Sequence, residues 1–276
     1  MIRLIQAICF FASLAALVST VEATELVLER HWELTGVEKL EPSGLSFCDD
    51  QLVMVSDRHN DTVYSIPLND AAESQVIPYR PINLLTKLPQ NITWKDHLID
   101  LLLRWTDKRF DWEGIHCDDN GALYLASESL SAIAKIGPNS PNSRESAQWI
   151  TPSFAEEVKQ LGFFNSINSG FEGITVDGHT SFIALEREPR GLVSIHNKNK
   201  PAYIKKIQEI DEEGISSKLK ADFTGLWLEP SSSLEPSSGL QFPKIYTLER
   251  NYFRVCRRSY SDWKIEQCWS LSLIHI

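Results

Sequence analysis

The 276-residue chain has no GxSxG elbow, no Walker loop, no HExxH motif and no closely spaced pair among its seven histidines. Those absences remove hydrolases built on a nucleophile elbow, P-loop NTPases and HExxH metalloproteases. Positive charge is also in short supply: 27 Lys and Arg against 37 Asp and Glu leave a net charge of −10. Such a surface repels phosphate backbones, so no nucleic-acid partner is expected, whereas a cation suits it. Long apolar runs are confined to the beginning. Arg3, the run from Leu4 to Val18 and the small residues around Ala23 read as an export signal over 1–23, cleaved before Thr24. An uncleaved anchor is the alternative. Nothing later reaches the roughly 18 uninterrupted apolar residues of a spanning helix. The mature protein is therefore expected to be exported, periplasmic or secreted, with no membrane span after signal cleavage.

Cysteine is scarce, with five in all, and Cys9 leaves with the leader. An even remainder in an exported protein makes disulfides plausible. Cys256 and Cys268 lie symmetrically about Asp262 in RVCRRSYSDWKIEQCW, which reads as a hairpin that brings the two β-carbons within bonding reach. Cys48 and Cys117 either face each other across neighbouring units or stay buried as thiols.

Against these absences stands a recurring phrase: a small or acidic residue, Gly, Leu or Ile, then a hydrophobic run ending in Ser or Glu. The copies are SGLSFCDDQLVMVSDR from Ser43, EGIHCDDNGALYLASES from Glu113, EGITVDGHTSFIALERE from Glu172, and TGLWL from Thr224 with KIYTLERN further on. Each is a pair of short β-runs joined by a polar turn. One such unit cannot bury its own apolar face, so a β-propeller is the expected fold. ELVLERHWEL from Glu25 to Leu34 reads as a strand that closes the ring on the last blade. TWKDHLIDLLLRWTD, Thr93 to Asp107, has the apolar spacing of a short amphipathic helix, either a cap over one face or a loop excursion. Ser153 and Glu156 form the pattern of a capping box opening a second helix that Gly162 ends. EPSSSLEPSSGLQFP, from Glu229, is Ser- and Pro-rich and reads as a long loop. Asn60-Asp61-Thr62 and Asn91-Ile92-Thr93 match the N-glycosylation sequon. His116 and His179 fall within repeats, where surface or core roles are the commoner ones.

Equivalent repeat positions in a propeller ring the central axis. Glu113 and Glu172 precede the repeat glycine in two copies, and Ser43 and Thr224 in the others. The far strand ends carry Ser56-Asp57, Ser127-Glu128, Glu186-Arg187 and Glu249-Arg250. Carboxylates gathered without counter-charge repel, and a hard divalent cation with six to eight oxygen ligands relieves that repulsion. Calcium is the natural candidate in an exported protein. The bland alternative is that each Glu bonds backbone amides at a blade junction or pairs with Arg187 or Arg250.

SGL with VSD, DWEGI with ASES, NSGFEGI with ALERE, and TLER, in this order from about Pro42 to Arg250, resemble the phytase-like, or esterase-like phytase, domain family of exported β-propellers. The resemblance implies about six blades. Members continue past the LER blade into a unit resembling DNFEGL and VSDDN, which does not appear here. The last six residues, LSLIHI from Leu271 to Ile276, also read as the translation of a sequencing-library transposon end. The domain is thus expected over 24–270 and incomplete, with 271–276 an adapter-encoded tail. The DDPAIW-like phrase of the β-propeller phytases is missing, which argues against phytate hydrolysis. Gluconolactonase-type propellers, where a Glu before Gly ligates a catalytic metal, offer an analogy for Glu113 and Glu172.

The function expected is a calcium-assisted hydrolase of phosphate or carboxylic esters. Glu113, Glu172 and Glu186 serve as ligands or base and Asp57 and Glu128 as further ligands. Arg187 and Arg250 orient a small anionic or ester substrate. The alternative is an exported propeller that binds a ligand or protein without catalysis.

Overall fold

Each repeat phrase folds as the two innermost strands of a four-stranded antiparallel sheet. The computed structural model describes residues 24–25, 31–83, 88–103, 109–138, 147–165, 170–187, 189–198, 202–209, 222–229 and 243–271. The leader and the last residues of the tail lie outside these. The described residues form an all-β, propeller-like arrangement of four blades, where the sequence resemblance implies about six. Blade I consists of Pro42–Cys48, Gln51–Ser56, Thr62–Ile66 and Ile77–Pro81. Trp112–Cys117, Leu123–Ser127, Ala132–Ile136 and Gln148–Trp149 make blade II. Blade III is Phe171–Asp177, Thr180–Leu185, Gly191–His196 and Tyr203–Glu209. Blade IV is Gly225–Leu228, Lys244–Glu249, Arg254–Ser259 and Ile265–Ser270.

The repeat glycines hold neighbouring blades together by having no side chain. A Cβ on Gly114 would lie 2.6 Å from the carbonyl oxygen of Glu172, and one on Gly173 would lie 2.7 Å from the amide nitrogen of Leu226. Gly44 meets blade II in the same way, against Glu113 and Gly114. Inner strands thus approach backbone to backbone, closer than any other residue permits. Between the blades lie apolar layers. Trp112 is fully buried between blades I and II and stacks on Trp149 at 5.7 Å. Phe171, Ile174 and Ile183 join blade III to Tyr124 and Ala126 of blade II. Phe182 and Phe223 do the same for blade IV.

Gly225 differs, because its Cβ would meet only Leu248 of its own blade. At the other end of the arc Leu45 is 59% exposed, while Ile115 and Ile174, the residues after the repeat glycine in blades II and III, are 4% and 2% exposed. Blades I and IV therefore each present a face that the internal junctions cover. Trp227, on the inner strand of blade IV, is likewise exposed and stacks toward Tyr246 at 5.1 Å.

Two disulfides are present among the described residues. Cys48–Cys117 joins blade I to blade II, and Cys256–Cys268 bridges paired positions of the last hairpin. The segment read as a single closing strand is divided. Thr24–Glu25 runs parallel to Trp269 and Ser270 of the last strand, whereas Glu33–Thr35 pairs in parallel with Glu73–Gln75 beside blade I. Helix α1 spans Trp94–Leu103, with Trp94, Leu98, Leu101 and Leu102 facing solvent and the buried Asp100 held by Arg109 at 2.6 Å. The reciprocal capping box does not form. Helix α2 spans Ala155–Gln160 with the buried Phe154 as its cap residue, and Ser153 Oγ accepts from the Ala155 amide at 3.5 Å. Gly162 follows the helix with φ +96°, in the left-handed conformation anticipated for it.

The glycine contacts generate a paired test. Gly114→Ala must push two backbones apart and is expected to cost about 1–3 kcal/mol, the usual penalty of overpacking. Gly225→Ala, whose Cβ meets nothing of a neighbouring blade among the described residues, should be close to neutral. Urea unfolding of both variants checks this, and equal losses would contradict the junction argument.

Candidate functional site

Three backbone irregularities build the site. The inner strand of each of blades I, II and III slips register just before its repeat glycine, between Pro42 and Leu45, Trp112 and Gly114, and Phe171 and Gly173. A bulge at these positions re-aims the intervening side chain. In blades II and III that residue is Glu113 or Glu172, and in blade I Ser43 lies within the slipped segment. Blade IV pairs without a slip, and its equivalent is Thr224.

A second tier comes from the end of the next strand. The amides of Asp57, Glu128 and Glu186 donate to the carbonyls of Glu41, Asp111 and Gly170 at 3.1, 2.9 and 3.3 Å. Each acceptor lies three residues before its repeat glycine. The serines that precede two of these acids shape the turn: Ser56 Oγ accepts from the amides of Arg58 and His59, and Ser127 Oγ from that of Leu130. Register aligns Glu186 with Asp57 and Glu128, one place away from the sequence reading that set Glu186 beside Ser56 and Ser127. Arg250 takes the same place in blade IV.

Members of both tiers meet at one pocket of ≈ 150 Å³, lined by Glu41, Pro42, Ser43, Asp57, Glu113, Glu172, Thr224 and Arg250, whereas Glu128, Glu186 and Arg187 are not among its lining residues. Carboxylate oxygens of Asp57, Asp111 and Glu113 lie within 4.8 Å of one another, as do those of Glu128, Glu172 and Glu186. Asp111 was not singled out from sequence, although the phrase Asp111-Trp112-Glu113-Gly114 recurs as Asp222-Phe223-Thr224-Gly225 and would have exposed both aspartates. Neither His116 nor His179 lines the pocket. His116 is held down to about 4 by burial, and His179 sits exposed in a turn.

Electrostatics divides the acids into two kinds. Burial first, then the charges of Glu128, Asp111 and Asp57, push the Glu113 carboxyl up to about 8. Glu172 is pushed up to about 8 by burial, then by Glu113 and Glu128. Glu128 rises to about 7 through burial and Asp111, although the Gly170 amide donates to it at 3.2 Å. The protein supplies these groups with too little positive charge to offset desolvation. Glu186 is different: nearly fully buried, it pairs with Arg187 and lies 3.5 Å from Arg250. Glu249 is different again. It is completely buried, yet Arg190, Arg254 and Arg258 close on it at 2.7 to 2.9 Å and lower its pKa despite burial. Glu249 points into the blade III–IV junction and has no part in the pocket.

The family described as Phytase-like, esterase-like activity of phytase, matches residues 35–222, more than half of the chain. No curated protein matches. Among solved structures, a protein of unknown function from Bacteroides thetaiotaomicron is 9% identical with a TM-score of 0.44, over 90% of this chain and 45% of that one. AztD from Citrobacter koseri is 9% identical with a TM-score of 0.35, over 84% of this chain and 47% of that one. A Lactobacillus plantarum protein is 14% identical with a TM-score of 0.40, over 89% of this chain and 60% of that one. The chain thus spans about half the length of the first two.

The raised carboxyls fix a pH dependence. In the folded state Glu113, Glu128 and Glu172 hold protons that the unfolded chain releases above about 4.5, so their contribution to folding stability is full below about 4.5 and is lost as pH rises toward about 8. In metal-free buffer the melting temperature is expected to drop between pH 5 and pH 8. Glu113→Gln should raise it at pH 8 and leave it nearly unchanged at pH 5. A flat profile in the native chain would contradict this account.

Proposed function

The chain belongs to the phytase-like family, and we propose from that membership and the geometry of the hub that it is an exported, calcium-assisted hydrolase of phosphate or carboxylic esters. The observation that carries the reading is the convergence in one pocket of carboxylates with raised proton affinity and a guanidinium.

The donor set fits a hard cation. Every group offered is a carboxylate, in two sets of three whose oxygens lie within 4.8 Å, and calcium takes six to eight oxygens. Repulsion that raises proton affinity favours a divalent ion equally well. Glu113, Glu172, Asp57 and Glu128 would hold it, with Asp111 completing one set. Once bound, calcium would contribute Lewis acidity toward an ester oxygen and make a nearby water more acidic.

The remaining roles belong to the chain itself. A hub carboxylate that the cation leaves uncoordinated, from among Glu113, Glu172 and Glu186, accepts the proton of the attacking water. Arg250 lines the pocket and presents a guanidinium to an anionic substrate, and Arg187 stands one residue from the hub acid Glu186. Glu186 acts by tethering both arginines. The apolar leader and two disulfides support export to an oxidising compartment, and no helix among the described residues is long and apolar enough to cross a membrane. The acidic surface supports a small-molecule partner over nucleic acid.

The double variant Glu113→Gln, Glu172→Gln tests the proposal with calcium calorimetry and hydrolysis of p-nitrophenyl phosphate and p-nitrophenyl acetate. Calcium affinity should fall at least tenfold, and turnover by about 10²-fold or more. Unchanged calcium affinity would end the carboxylate-hub reading. Calcium binding by the native chain with no turnover of either ester would favour a ligand-binding propeller.

A further inference from the structure

Blade IV departs from the repeat where its hub residue is a cation. In blades I, II and III the carbonyl of the residue three before the repeat glycine accepts from the hub acid's amide. In blade IV that position is Asp222, and its side chain does the holding. Asp222 Oδ2 accepts from Arg250 Nε at 3.0 Å and lies 2.8 Å from Arg250 Nη2, while Oδ1 accepts from the Asn251 amide at 2.9 Å. The Asp222 carboxylate is 1% exposed, whereas the Arg250 side chain it grips is 57% exposed. Its backbone is fixed as well, since the next amide, Phe223, donates to the Glu186 carbonyl at 3.0 Å and the Phe223 ring is fully buried.

We propose that Asp222 is the positioning residue for an oxyanion site at Arg250: it occupies the Nε–Nη2 edge of the guanidinium and leaves Nη1 for a phosphate or carboxylate oxygen of the substrate. Glu186 approaches that occupied edge too, at Nη2. Among the described residues no hydrogen bond engages Nη1. A guanidinium gripped along one edge keeps its remaining N–H groups in a fixed plane, which a flexible cation would not. Asp222 therefore acts through Arg250 and touches no substrate itself. The inference rests on the reading of Arg250 as the anion anchor.

Inorganic phosphate, titrated by calorimetry into the calcium-supplemented full chain, tests it. Asp222→Asn is the informative variant, because an amide oxygen still accepts from the Asn251 amide while the charge that grips Arg250 is gone. Phosphate affinity should fall about tenfold to a hundredfold, as when a supporting partner of a binding group is removed, with calcium affinity and melting temperature unchanged. Arg250→Gln should abolish phosphate binding. No phosphate binding by the native chain overturns the anion-anchor reading and this inference with it. Loss in Arg250→Gln but full affinity in Asp222→Asn overturns the role of Asp222 alone. A fall in melting temperature that accompanies the lost affinity in Asp222→Asn would make its role structural and overturn the inference as well.

Discussion

The contact on which the rest of the structure depends is that of one backbone against another at the repeat glycines. Because Gly44, Gly114 and Gly173 carry no side chain, the inner strands of consecutive blades approach closely enough for the preceding bulges to turn toward a shared axis. Were the strands spaced by even a methyl group, Glu113 and Glu172 would still be acidic but would sit farther from one another. The hub is thus a consequence of packing before it is a matter of charge.

Charge then separates residues that composition treats alike. Glu249 and Glu172 are both glutamates in repeat phrases, and both are withdrawn from water. Around Glu249 three guanidiniums more than offset the desolvation cost, so the carboxylate is stable as an ion and knits blade III to blade IV. Around Glu172 the nearest charges are other acids, and the ionised form is disfavoured. Carboxyls held protonated by burial and then by neighbouring acids, against only partial relief from Arg250 and Arg187, are commoner at sites that bind or react than in a structural core.

Much of this was legible in the sequence. The repeat phrase revealed the β-units, and the convergence of Asp57, Glu113, Glu172 and Arg250 followed from equivalent positions in a propeller. What pattern could not supply was register. A bulge adds a residue without changing the alternation of apolar letters, so pattern alone places Glu186 one position from its structural equivalents, Asp57 and Glu128. Asp111 and Asp222 stand outside the Gly-centred phrase, although the four-letter pattern Asp-aromatic-Glu/Thr-Gly repeats and marks both. Local rules also yielded to tertiary packing: the buried Phe154 takes the cap position of helix α2 that the Ser153–Glu156 pattern assigns to Ser153, and helix α1 leaves Trp94, Leu98, Leu101 and Leu102 facing solvent.

The differences of blade IV belong together. It has Thr224 where its neighbours in blades II and III have glutamate, a regular strand where they have a bulge, and Arg250 where the other three have a carboxylate. Thr224 and Arg250 both move the hub away from uniform negative charge, and both line the same pocket. A ring of equivalent acids could hold a cation but could not tell one end of an ester from the other. With acids on three blades and a gripped guanidinium on the fourth, the hub has a direction, and a substrate carrying both an electrophilic centre and an anionic oxygen would lie across it in one orientation.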